Sequence, residues 1–308
     1  MGPDSQPPAP AGRSSTGPDS IDATLAALDA RGYVAERELA TAIFLALRLE
    51  RPLLVEGEPG VGKTEIAKAL AAWRQAELIR LQCYDGLDVA QAVYDWDYAR
   101  QMVHIRLREA AGAPTDRLEQ EIYGPAFLRR RALLRAVEHE GGAAPVLLID
   151  EIDRADEEFE AFLLELLSDW QITIPEIGTI RASRPPVVVI TSNRTREVHD
   201  ALKRRCLYHW IPYPSFEKEL RIVAGRVGGL PDALARQIVD FVQRLRDVDL
   251  YKAPGIAETL DWAAALAALD AAEVSEDVAT DTLGALVKSQ DDLVAARAKV
   301  RELIAARR

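Results

Sequence analysis

"VEGEPGVGKTEIAKAL", Val55 to Leu70, decides the fold. A short apolar run, "LLV", ends in glycines, and helical periodicity resumes immediately in "EIAKALAAW". Gly57, Gly60 and Gly62 free the backbone to curl so that successive N–H groups face one concavity at a helix N-terminus, a cradle suited to a polyphosphate. Lys63 adds a positive charge for the outer phosphates, and the Thr64 hydroxyl stands where it can ligate Mg²⁺. The candidate binding segment is therefore Gly57, Glu58, Pro59, Gly60, Val61, Gly62, Lys63, Thr64 and Glu65.

Further along, "PVLLIDEIDRAD" is an apolar strand ending in two carboxylates, at the strand edge where open α/β sheets place their ligands. Two jobs call for two groups: Asp150 to steady a hydrated Mg²⁺ and Glu151 to polarise an attacking water. Asn193 closes a further strand, "VVVITSN"; it is either a neutral amide for the water or the outermost phosphate, or a turn residue. With "LIRLQC" these segments alternate with helical ones, which implies a parallel α/β sheet.

From Phe216 the strands stop, and Leu234, Ile238, Phe241, Val242 and Leu245 mark one helical face after Pro231. Residues 20–214 are thus expected to form an α/β domain and residues 215–308 a small all-helical one, after a disordered tail over 1–19 rich in Pro, Gly and Ser. No apolar run approaches the roughly 20 residues of a membrane-spanning helix. Two cysteines without a CxxC pair indicate neither a disulfide framework nor a zinc site, and a cytoplasmic location fits. The net charge of −11 disfavours non-specific attraction to nucleic acid or anionic membranes. "LRRRALLR", Leu128 to Arg135, is expected as an amphipathic helix whose arginines form a solvated or subunit-facing surface or, less readily, a nucleic-acid patch.

Together "GEPGVGKT", "LLIDEIDRA", "ITSNRTREVHDALKRRC" and the helical tail resemble the AAA+ ATPases, and within them the MoxR-like group, over about Leu25 to Leu303. The resemblance implies a Walker A loop with Lys63 and Thr64, Walker B with Asp150 and Glu151, sensor 1 at Asn193, and an arginine finger at Arg204 or Arg205. It implies ATP and Mg²⁺ as cofactors and a homo-oligomeric ring, usually hexameric, with nucleotide between subunits. "YDGLDVAQAVYDWDYARQMVHIRL" looks like the group's helix-2 insert and "WQITIPEIGTIRA" like its hairpin before sensor 1, so Tyr94, Trp96 and Tyr98 are either client contacts or packed aromatics. Gly255, Ile256 and Ala257 stand where the sensor 2 arginine of many members could fall, and Lys252 nearby is either a substitute for it or simply an exposed lysine beside a Pro-Gly turn.

The stretches "LQCYDGLDVAQAVYDWDYARQ" and "EIYGPAFL" look most like the branch associated with carbon monoxide dehydrogenase maturation. That likeness implies a von Willebrand factor A domain partner, a protein client, and remodelling of a molybdenum hydroxylase at its metal cluster. Two other functions fit the same motifs: a nucleic-acid remodelling motor, and a nucleotide-dependent scaffold with little turnover.

Overall fold

The computed structural model describes residues 18–112 and 118–305. The chain opens with helices α1 (Ile21–Asp29) and α2 (Arg37–Leu49), then strand β1 (Leu53–Gly57), α3 (Lys63–Arg74) and β2 (Leu78–Gln82). An insert follows: α4 (Val89–Val93), β3 (Tyr94–Trp96), α5 (Tyr98–Ala110), α6 (Leu118–Ile122), β4 (Leu128–Arg130) and α7 (Ala132–Val137). The chain re-enters the sheet with β5 (Val146–Asp150), makes a 3-10 turn at Ile152–Arg154, and continues through α8 (Glu157–Asp169). The hairpin β6 (Gln171–Ile174) and β7 (Gly178–Arg181), strand β8 (Val187–Ser192), α9 (Asp200–Arg205) and β9 (Leu207–Ile211) complete the α/β part. Helices α10 (Phe216–Arg226), α11 (Asp232–Leu245), α12 (Ile256–Ala268), α13 (Glu276–Thr282) and α14 (Gln290–Ala305) form the remainder.

The main sheet runs β2-β5-β8-β1-β9, every neighbouring pair parallel. Its middle strands are buried on both faces, which is why β1, β5 and β8 read as continuous apolar runs rather than alternating ones. Their side chains still alternate between two cores: Leu54, Leu147, Ile149, Val188 and Ile190 pack on the α7–α8 side, and Leu53, Val55, Val146, Leu148 and Val189 on the α3 side. β9, "LYHWI", is an edge strand with an exposed Tyr208, so it lacks the apolar run that marks the others in the sequence.

The C-terminal helices enclose a separate core around Trp262, Phe241 and Ile238. Beside it lies a buried polar knot: Glu219 pairs bidentately with Arg246 (2.6 and 2.7 Å) and accepts from Thr259 and Gln243, joining α10, α11 and α12. Removing Glu219 or Arg246 would strand the other's buried charge, at a cost of about 3–5 kcal/mol.

Three expectations meet the structure differently. Leu128–Arg135 is not one helix: Leu128–Arg130 is a strand paired with β3, and α7 starts at Ala132. Its arginines form ion pairs with carboxylates (Arg129–Asp97, Arg130–Glu138, Arg131–Asp95, Arg135–Glu77), so no unneutralised basic stripe remains there. Trp96 is a core residue, edge-on to Tyr94 and Tyr123, while Tyr98 is exposed. Of the tail expected over 1–19, residues 1–17 lie outside the described residues and Pro18 is buried.

Candidate functional site

The alternation of strands dictates which polar groups meet. Leu78, Val146, Leu148 and Val189 face α3, so by the two-residue period Arg80, Gln82, Asp150 and Thr191 project to that same face. The strand order then sets β2, β5 and β8 side by side, with Gln82 opposite Asp150. Asp150 is the meeting point. Its Oδ1 accepts from Thr191 Oγ1 (2.5 Å) and Thr64 Oγ1 (3.1 Å), and its Oδ2 from Arg80 Nη2 (2.6 Å) and Nε (3.0 Å).

The loop at the N-terminus of α3 depends on its glycines at two kinds of position. Gly60 and Gly62 have φ of 78° and 95°, a left-handed backbone that side chains other than glycine rarely adopt. Gly57 is needed for closeness, since a Cβ there would stand 2.4 Å from the Ile211 carbonyl oxygen on β9. Lys63 is buried and its Nζ donates to the carbonyls of Gly57 (2.7 Å) and Glu58 (2.8 Å), which is how those two residues serve the loop without lining its cavity. Burial pushes the Lys63 ammonium down to about 8, against the opposing pull of Asp153, Glu58, Asp150 and Glu151.

Glu151 has φ 57° and ψ 52°, a left-handed conformation that costs a non-glycine residue of order 1–3 kcal/mol. The Thr191 hydroxyl holds the turn by accepting the Glu151 N–H at 2.9 Å, and the Glu151 carboxylate lies 3.0 Å from Arg154 Nε. Asn193 is fixed by its own N–H, which donates to the buried Asp153 carboxylate (3.1 Å); the Thr195 N–H and hydroxyl donate to the same group.

One cavity of about 420 Å³ gathers Pro59 to Glu65, Asp150, Glu151, Thr191 and Asn193, and extends along Tyr33, Val34, Ile222, Ile256, Ala257 and Leu260. The polar end is a phosphate-sized cradle, and the apolar end suits a flat ring. A hydroxyl and a carboxylate side by side, Thr64 and Asp150, are the hard oxygen donors that Mg²⁺ takes, so the residues present fit that ion. Arg204 and Arg205 do not line this cavity. Arg205 Nη1 donates to the Leu164 carbonyl, whereas the exposed Arg204 side chain has no hydrogen bond or ion pair among the described residues. Their backbone carbonyls are held by Arg51, at 2.7 Å for Arg204 and 3.1 Å for Arg205.

Residues 52–206 match the family described as AAA domain (dynein-related subfamily). The chain belongs to that family. Its fold is the AAA+ P-loop fold, a parallel five-stranded sheet flanked by helices with a helical region after it. This AAA protein is 25% identical over 229 residues to the uncharacterized protein YeaC of Bacillus subtilis, a match covering 70% of this chain and 61% of YeaC. The chain thus matches less than two thirds of that relative's length. It is similar to the Thermotoga maritima RuvB Holliday junction branch migration motor (18% identity, 90% of this chain and 74% of that one, TM-score 0.49). It is also similar to a structure from Cytophaga hutchinsonii (15% identity, 94% of each chain, TM-score 0.48).

Several residues that line or support this site stand outside the candidate positions of the motifs. Thr191 sits inside "ITSN" but its contact with Asp150 depends on β5 and β8 being neighbours. Lys252 does not line the cavity; the basic residues of the C-terminal helices that do are Lys218 and Arg226, four residues either side of Ile222 on one face of α10. The i, i+4, i+8 spacing was the available signal.

Proposed function

We propose that this AAA protein is an MgATP-hydrolysing ring ATPase, with residues 20–214 as the motor and 215–308 as its lid. The observation that carries this reading is convergence: Lys63, Thr64, Asp150, Glu151 and Asn193 line one cavity although they come from three different strand ends. In this role the loop amides and Lys63 bind the phosphates, Thr64 and Asp150 hold Mg²⁺, Glu151 accepts a proton from the attacking water, and Asn193 orients that water. Mg²⁺, when bound, neutralises charge on the outer phosphates. Arg204 or Arg205 acts on a neighbour's nucleotide, consistent with both side chains lying outside their own subunit's cavity.

The finer reading is a cytoplasmic MoxR-like maturation chaperone of the carbon monoxide dehydrogenase branch, working on a protein client with a von Willebrand factor A domain partner. The ion-paired arginines of Arg129 to Arg135 favour a protein over a nucleic-acid track, because their charge is already spent on carboxylates. Phosphate release and nucleotide titration test the core claim. Glu151→Gln should bind nucleotide and cease turnover, while Lys63→Ala should lose binding itself. Captured in MgATP, the Glu151→Gln protein should bring down a protein client. ATPase stimulation by duplex DNA with a steep salt dependence would replace the chaperone reading with a nucleic-acid motor, and ATP-driven assembly without phosphate release would replace it with a scaffold.

A further inference from the structure

Asp150 is nearly fully covered, with its side chain 3% exposed, while the Arg80 side chain that caps it is 52% exposed. A carboxylate this deep needs a positive partner, since an uncompensated buried charge is heavily penalised. Oδ1 is taken by Thr191 at 2.5 Å. Thr64 Oγ1 lies 3.1 Å from Oδ1 and 3.3 Å from Oδ2, so a metal beside it would approach the whole carboxylate, whose Oδ2 Arg80 grips with two N–H groups, at 2.6 and 3.0 Å. A guanidinium and a divalent cation on one carboxylate repel each other in so covered a place. The occupants therefore compete.

Arg80 is built to leave. Half of it already meets water, so little hydration is lost in holding it and little is needed to release it. Gln82, two residues on and on the same face of β2, accepts from the same Arg80 Nη2 through its Oε1, so the guanidinium keeps one partner if it gives up Asp150. Leu78, before it on that face, packs in the α3 core and fixes the strand.

We propose that Arg80 is a gate on the metal seat: its guanidinium substitutes for Mg²⁺ on Asp150 in the nucleotide-free protein, so that the site refuses the free ion and accepts it only when a triphosphate delivers it. The extra coordination and charge of the phosphates outweigh the guanidinium; the bare aquo ion does not. This inference rests on reading Thr64 and Asp150 as the metal seat.

Mn²⁺ serves as probe, because its free ion is counted directly by electron paramagnetic resonance, without turnover. Without nucleotide, Arg80→Gln should bind Mn²⁺ about tenfold more tightly than wild type, the gain from removing one competing charge at contact distance. With a non-hydrolysable ATP analogue present, the difference should shrink. Equal or weaker Mn²⁺ binding by Arg80→Gln without nucleotide overturns the gate and leaves Arg80 a structural clamp. Should Arg80→Gln fail to fold, Arg80→Met, which removes the charge but keeps an unbranched side chain of similar length, decides the matter by the same comparison. Asp150→Asn separates the two readings: if wild type with the analogue binds Mn²⁺ no better than Asp150→Asn, the metal seat itself is wrong and the gate falls with it.

Discussion

The Ile256 N–H donates to the carbonyl of Gly60 at 2.9 Å, so the first residue of α12 is hydrogen-bonded directly to the phosphate loop. Next to it Gly255 lies so close that a Cβ would stand 2.8 Å from Gly60 Cα and from the Pro59 oxygen. The contact is main chain to main chain. It occupies the place where the resemblance to AAA+ ATPases would put a sensor 2 arginine.

Gly255→Ala should therefore act by sterics alone, since Gly255 has φ −84°, which any residue adopts. Overpacking of this kind costs about 1–3 kcal/mol, which here falls on the seating of α12 against the loop. Nucleotide affinity should drop about tenfold, with the helical content of the protein unchanged by circular dichroism. Unaltered affinity would show that the α12 contact does not shape the site.

Lys63 gives a pH dependence with a definite sign. Its ammonium loses its proton at about 8 in the folded protein against 10.5 as a free side chain. The unfolded chain holds more protons between those values, so this group's destabilising contribution is present below about pH 8 and is relieved as pH rises towards 10.5. Nucleotide behaves oppositely. Phosphates favour the charged ammonium, so affinity should fall above about pH 8 and binding there should take up a proton. Calorimetry at pH 8.5 to 9, in buffers of different ionisation enthalpy, reads that uptake directly; its absence would mean that Lys63 does not meet the phosphates.

Arg204 and Arg205 should separate. Arg205 is tied to the Leu164 carbonyl on α8, whereas Arg204 is the side chain left exposed without a partner among the described residues. Arg204→Ala should lower phosphate release by about 10³ or more, as loss of an arginine finger does elsewhere, with nucleotide affinity retained. Mixed with Glu151→Gln subunits, it should regain activity at interfaces that pair an intact pocket with an intact arginine. No recovery in verified mixed assemblies would count against action across the interface.

Trp96→Ala should fail as a folding variant. The ring packs against Tyr94 and Tyr123 within the core of the α7–α8 side, and truncating such an aromatic costs about 3–5 kcal/mol. A lowered melting temperature is the expected reading. Tyr98, at 63% exposed on α5, is an aromatic of this insert free to touch another protein, and Tyr98→Ala should leave stability nearly unchanged.

The sequence by itself determined the chemistry of the main groups, because that chemistry is local. The left-handed turns at Gly60 and Gly62, the lysine and threonine opening α3, and the carboxylates ending an apolar strand are each legible within a dozen residues. Helical periodicity likewise exposed α11, whose apolar face is regular, while β9 escaped because an edge strand needs no apolar run. The Leu128–Arg135 stretch misled because an apolar–basic pattern fits a short strand followed by a helix as well as it fits one helix, and its pairing partner, β3, lies thirty-odd residues away. Tertiary structure alone decided strand order, and with it that Arg80 and Thr191, on separate strands, both land on Asp150. It also decided that Gly255 would press on Gly60 across nearly two hundred residues of chain. Alternation tells which face of a strand a side chain takes; only the packing of whole elements tells what it will meet there.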